Sequence, residues 1–129
     1  MSVRFAGYAA VFDVPDRGGD MVRAGAFRTA QAVPLLWQHR GRPVGHIEML
    51  GEDRRGLRVI GSVGEPELAA LVARGGVTGL SFGYRVREVR RGTYRELIKL
   101  DLIEVSLVAQ PMQPLARIHA VVREEEENA

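Results

Sequence analysis

The chain has 129 residues, 46% of them hydrophobic, and its 18 Lys and Arg against 16 Asp and Glu leave a formal net charge of +2. That length supports one domain with one real core, and the absence of cysteine excludes disulfides, thiolate metal sites and cysteine nucleophiles. No apolar run approaches the ~20 residues of a membrane span, no secretory signal is legible at the N-terminus, and the small charge excess is not a basic patch.

Strand-like runs dominate the chain. Val3–Phe12 alternates and ends in the turn-rich stretch Asp13–Asp20. Ala24–Ala32 is a helix candidate. Val33–His39 reads as a strand with Leu35, Trp37 and His39 on one face and Leu36 and Gln38 on the other. Val44–Leu50 and Gly56–Val63 are further strands, joined by the turn Glu52-Asp53-Arg54-Arg55-Gly56. Glu67–Arg74 is a helix, with Leu68, Leu71 and Val72 at helical spacing, Pro66 at its start and Gly75 as its stop. Leu80–Val89, Tyr94–Ile98 and Leu102–Ala109 complete the strands, with Arg90-Arg91-Gly92-Thr93 as a hairpin turn. The expected fold is mostly β (α+β): an antiparallel β-barrel, closed to remove its edges, with a few packed helices. Residues 1–120 form the domain, and 121–129 form an acidic, disordered tail around Glu124–Glu127.

Lys99 is the only lysine among many arginines. Arg54, Arg55 and Arg58, or Arg85, Arg87, Arg90 and Arg91, would be the candidates for a nucleic-acid groove. Few aromatics are interleaved with them, as single-strand binding requires, so solvated turns and strand edges are the expectation.

Gly79-Leu80-Ser81-Phe82-Gly83 fits the Gly-x-Ser-x-Gly pattern of the nucleophile elbow. An elbow needs a helix after the serine, but Phe82–Val89 alternates like a strand. The hydrolase order of serine, acid and histidine would leave only His119, so the elbow reading fails. A serine nucleophile does not need that fold, because the same roles recur on unrelated scaffolds. It needs a neutral imidazole within reach and a group to orient the imidazole. His39, at the end of the apolar run Pro34–Gln38, is a well-placed base. Glu104 lies inside the apolar strand Asp101–Val108, where an ionised carboxylate is costly without a partner. Alternation puts it on one face with Leu102, Ser106 and Val108, and Asp101 on the other. Taken singly, His39 also fits a surface histidine, Ser81 an ordinary strand serine and Glu104 an arginine salt bridge.

Together these stretches resemble the HK97-type prohead proteases, the capsid maturation serine proteases of tailed phages. The resemblance runs through Gly7-Tyr8-Ala9-x-x-Phe12, Asp16, Gly19-Asp20 and Gly25-Ala26-Phe27. It continues with Pro34-Leu35-Leu36-Trp37-Gln38-His39, then Gly79–Tyr84, then Asp101–Val108 followed by Pro111 and Ala116. It implies the fold of the herpesvirus capsid proteases, and an endopeptidase that removes the N-terminal scaffolding segment of the major capsid protein and also processes itself. It places the activity in the bacterial host cytoplasm, inside the assembling prohead, with self-association as a further partner and with no nucleic acid or membrane involved. By motif, Ser81 is the nucleophile, His39 the general base and Glu104 the third member. His46 competes for that third place, because the related herpesvirus enzymes use a second histidine. No cofactor or metal is implied. Gly75, Gly76 and Gly79 permit a close backbone approach for an oxyanion site. The competing readings are a catalytically inactive structural β-barrel akin to tail-tube components, and a metal site on His39, His46 and Glu48 that lacks any recognised spacing.

Overall fold

The computed structural model describes residues 2–28 and 30–124. In chain order its elements are β1 (Ser2–Val11), β2 (Asp20–Val22), β3 (Leu35–Trp37), β4 (Arg40–Glu52), β5 (Gly56–Val63), α1 (Pro66–Ala73), β6 (Gly79–Arg91), β7 (Arg95–Val108) and β8 (Ile118–Glu124). Among the described residues all eight strands belong to one sheet, ordered β2-β7-β3-β4-β5-β1-β8, with β6 also paired to β7. The pairings are antiparallel except that β2 and β3 run parallel to β7. Both lie along one edge of that long strand, β2 beside Arg95–Leu97 and β3 beside Val105–Leu107.

Alternation explains why β1, β5 and β7 form the core layer. Val3 and Phe5 of β1, Leu57 and Val59 of β5, and Val105 and Leu107 of β7 are all buried. Each such side chain removed from water contributes about 1.5–3 kcal/mol of burial free energy. The helix α1 covers this layer with Leu68, Ala69 and Val72. The Glu65 carboxylate caps its start, accepting from the amides of Glu67 at 3.2 Å and Leu68 at 2.8 Å, and Pro66 sits in the first turn, where no amide hydrogen is needed. Among the described residues no helix is long and apolar enough to cross a membrane.

Several expectations change. The ladders do not close into a barrel. Among the described residues, the segment leading into β8 meets the start of β6 at the bridge Gly79↔Arg117 and through two hydrogen bonds, Leu80 N to Ala116 O and Ile118 N to Thr78 O, and β8 itself then pairs with β1. Val121–Glu124, expected within the tail, pairs with Ser2–Phe5 as the end of β8; residues 125–129 lie outside the described residues. The runs Tyr94–Ile98 and Leu102–Ala109 are one strand, β7.

The helix expected over Ala24–Ala32 is a series of turns over 24–28. Gly25 has φ +90°, outside the helical region, and the backbone bonds are turn bonds of Ala26 N to Arg23 O, Arg28 N to Gly25 O and Ala30 N to Phe27 O. The two oxygens of Glu52 accept the amides of Gly25 and Phe27, each at 2.7 Å, and fix the segment against the β4–β5 turn. That turn is as expected: Asp53 accepts from the amides of Arg55 and Gly56 and closes the hairpin.

Candidate active site

The β6–β7 ladder sets the site. Its first stretch is regular, from Gly79↔Val108 through Ser81↔Ser106 to Gly83↔Glu104. Beyond it β7 carries an extra residue, Ile103, so that Tyr84 pairs with Leu102. This bulge inverts the alternation. Leu102 packs on the core together with Val105 and Leu107, so it does not share a face with Glu104 as strict alternation had indicated. Glu104 and Ser106 do share one, on the side away from that packing.

His39 does not end a strand. It follows β3 in a two-residue turn, Gln38-His39, closed by the pair Trp37↔Arg40. Both turn residues have positive φ, 54° and 63°, as a tight type I′ hairpin requires. Neither is the glycine or asparagine that accepts this conformation readily, so the surroundings must hold it. They do so through β7. Gln38 N donates to Leu107 O at 2.9 Å, Gln38 Oε1 accepts from Ala109 N at 2.8 Å, and His39 N donates to Ser106 Oγ at 3.1 Å.

The turn brings the His39 ring onto Glu104, with Nδ1 hydrogen-bonded to Oε1. The other carboxylate oxygen, Oε2, accepts the Ser106 hydroxyl at 2.5 Å. Glu104 is 6% exposed, so these partners replace the water that a buried carboxylate would otherwise lack. With a carboxylate on Nδ1, the ring's proton is held there and Nε2 is left as an acceptor.

Ser81 and His39 border one cleft of about 460 Å³, completed by Gln38, Val108, Ala109, Gln110 and Met112. Ser81 is 8% exposed, and no hydrogen bond joins its hydroxyl to the His39 ring. Such contacts are commonly loose until substrate is bound. Met112 also borders a smaller pocket of about 80 Å³ on the other side of Ser81, between Asp16, Asp20, Tyr84 and Gln113. The loop carrying Met112 is anchored by Gln113, whose buried amide accepts from Val11 N at 2.8 Å and donates to Val11 O at 2.9 Å.

Asp20 receives a two-pronged contact from the Arg95 guanidinium at 2.8 and 2.7 Å. That contact holds its carboxyl below the usual range and pushes the Arg95 guanidinium up. Burial, with Asp20 nearby, raises the Tyr84 phenol.

The other candidates lie elsewhere. His46, on β4 opposite Ser62, is exposed and faces Glu48 at 3.8 Å. Its environment is separate from that of His39, and Glu48 is itself held by Arg4. Gly75 and Gly76 terminate α1, Gly76 N bonding Leu71 O at 2.8 Å, while Gly79 packs on Val108 and Pro111. None of the three borders the cleft. Several of the arginines are occupied with acids, as in Arg23 with Asp13 and Glu96 and Arg87 with Asp101. What sequence reasoning missed was Ser106. It stood on the face of Glu104, but nothing local showed that it would also take the His39 amide.

Residues 1–129 match the family described as caudovirus prohead serine protease. The chain belongs to that family. The prohead protease of Enterobacteria phage HK97 is 37% identical over 94 residues, covering 64% of this chain and 42% of that protein. The chain thus spans less than half the length of that curated relative. Among solved structures it is similar to the KSHV protease in complex with a hexapeptide phosphonate inhibitor. The TM-score is 0.65 at 13% identity, over 96% of this chain and 66% of that one. That likeness is one of fold: a mostly β, herpesvirus protease-like architecture.

Proposed function

We propose that this chain is a serine endopeptidase of capsid maturation, with Ser81 as nucleophile, His39 as general base and Glu104 as the group that orients the imidazole. The observation that carries the proposal is the His39–Glu104 pair on the wall of the cleft that holds Ser81. Glu104 keeps the ring proton on Nδ1, so Nε2 takes the Ser81 proton as Oγ attacks the peptide carbonyl. The imidazolium then gives that proton to the leaving amine, and water repeats the cycle on the acyl-enzyme. None of these steps calls on a metal or a cofactor.

Family membership supports the substrate. The enzyme acts on the N-terminal scaffolding segment of the major capsid protein, and on itself, inside the assembling prohead in the bacterial host cytoplasm. The test is coexpression with the major capsid protein encoded beside this chain, in a tailed phage or phage-like particle, followed by mass measurement of the capsid N-terminus. The wild-type chain is expected to shorten it, and Ser81→Ala to leave it whole. Cleavage at the wild-type rate by Ser81→Ala overturns the assignment of Ser81. A capsid protein left intact by the wild-type chain favours the competing, non-catalytic structural reading.

A further inference from the structure

The second glycine of Gly79-Leu80-Ser81-Phe82-Gly83 has a role unrelated to an elbow. Gly83 stands opposite Glu104 in the ladder. A methyl group built on it would meet Glu104 Cγ and Cδ at 3.0 Å and run into Oε1. Real side chains do not approach that closely, so the carboxylate occupies space that only glycine leaves free. On the other side of the carboxylate lies Ser106, wholly buried. A backbone amide can only donate, so Ser106 Oγ accepts from His39 N, and its one hydroxyl proton goes to Glu104 Oε2. One side chain thereby grips both the carboxylate and the backbone of the histidine paired with it. That backbone is the one at φ 63°, a conformation that persists only when its surroundings impose it.

We propose that Ser106 and Gly83 are positioning residues that form a cradle for the Glu104–His39 pair. Ser106 fixes Oε2 and the His39 amide, and Gly83 keeps clear the space into which the carboxylate folds. The proposal rests on the reading of Ser81, His39 and Glu104 as the catalytic set. Neither cradle residue borders the cleft, so both act through Glu104 and His39 rather than on the substrate. With Oε1 on the ring and Oε2 on the hydroxyl, both oxygens are committed and the carboxylate cannot rotate without breaking a bond.

The test uses the full chain and two independent readouts. One is the downfield proton resonance of the His39 Nδ1–H. The other is kcat and KM on a fluorogenic peptide spanning the capsid cleavage site mapped by the coexpression experiment. Ser106→Ala is expected to shift or broaden the resonance and to lower kcat up to about 100-fold, with KM little changed, because a misplaced catalytic group costs about that much. Ser106→Thr, which keeps the hydroxyl, restores both. Gly83→Ala disturbs the same carboxylate from the opposite side and has the same signature with Ser106 intact. A folded Ser106→Ala chain with wild-type resonance and wild-type kcat overturns the proposal. Should the alanine variants not fold, the wild type decides by itself. The Ser106 hydroxyl proton must exchange slowly and show a nuclear Overhauser contact to the His39 amide, and the lack of both overturns the cradle. A wild-type chain that keeps the resonance but cleaves nothing counts against the protease assignment alone.

Discussion

The β6–β7 hairpin has two halves that follow different rules. From Gly79 to Gly83 the ladder is in unbroken register with Glu104 to Val108, and Glu104 through Val108 are buried without a gap. From Tyr84 onward the register shifts three times, and most of the residues out to Arg91 are exposed. The inner half carries Ser81, Ser106, Gly83 and Glu104, and the turn that presents His39 is bonded to it. The outer half carries surface ion pairs such as Arg87 with Asp101. A constellation that must hold its geometry is built where each backbone bond and side-chain contact constrains the next. In the outer half the β6 strand is mostly solvated and can absorb register shifts, while Leu97 and Leu100 of its β7 partner stay in the core.

The widest separation of the halves should come from the inner one. Ser81→Ala is expected to keep the wild-type melting temperature and lose activity by about 10⁶-fold, the scale for removing a triad serine. His39→Ala should be equally damaging, and the double variant little worse than either, because residues acting as one unit are non-additive. Turnover of a peptide substrate by the three variants checks this. An active His39→Ala enzyme would break the assignment of the base.

Glu104→Gln comes next. It should preserve the fold and cut kcat by about 10⁴-fold, the cost of an orienting carboxylate elsewhere. A variant with a lowered melting temperature but normal turnover would make Glu104 a structural carboxylate, and the inner half would lose its chemical distinction from the outer.

A third prediction concerns the far end of the outer half, where Asp20 on β2 grips Arg95 at the start of β7, opposite Arg91. The Asp20 carboxyl is held below its ordinary value of 3.8, first by the Arg95 hydrogen bond. A group depressed in the folded state adds stability above its unfolded pKa, and that stability is lost as the pH falls through its folded pKa. The melting-temperature gap between wild type and Asp20→Asn should therefore be widest near neutrality and shrink as the pH drops below about 3.8. A gap that stays constant down to strong acid would mean that the ion pair does not stabilise this end of the outer half.

The sequence shows the parts better than their joins. Gly56–Val63 and the helix after Pro66 were readable because a period of 2 or 3.6 runs through them unbroken. Glu104 was readable because a carboxylate in an apolar run demands a partner. The Ile103 bulge was not, since an extra residue in β7 is decided by which β6 residue it faces, not by its own neighbours. The three-residue β2 and the left-handed Gln38-His39 turn were hidden for the same reason: both exist because β7 supplies their hydrogen bonds. β8 was mistaken in part for tail because its residues are mostly exposed, and its pairing with β1 leaves little apolar pattern. Nor could the sequence show that the His39 ring meets Glu104 while His46 faces Glu48.

The smallest effect is expected at Asp101, which serves as the control for Glu104. The two carboxylates are three residues apart on β7, so a nonspecific loss of charge should affect them alike. Their surroundings differ: the Glu104 side chain is 8% exposed and bonded through both oxygens, whereas that of Asp101 is 41% exposed and pairs with Arg87 at 3.0 Å. An exposed ion pair of that kind contributes about 0–1 kcal/mol. Asp101→Asn should therefore shift the melting temperature by no more than a few degrees, on the order expected for ~1 kcal/mol in a domain of this size. It should leave kcat and KM of the folded enzyme unchanged. Measured beside Glu104→Gln on one preparation, it turns the comparison of the two halves into a single ratio of rates. A loss of kcat in Asp101→Asn that approaches the loss in Glu104→Gln would mean that the outer half, too, holds the site in place.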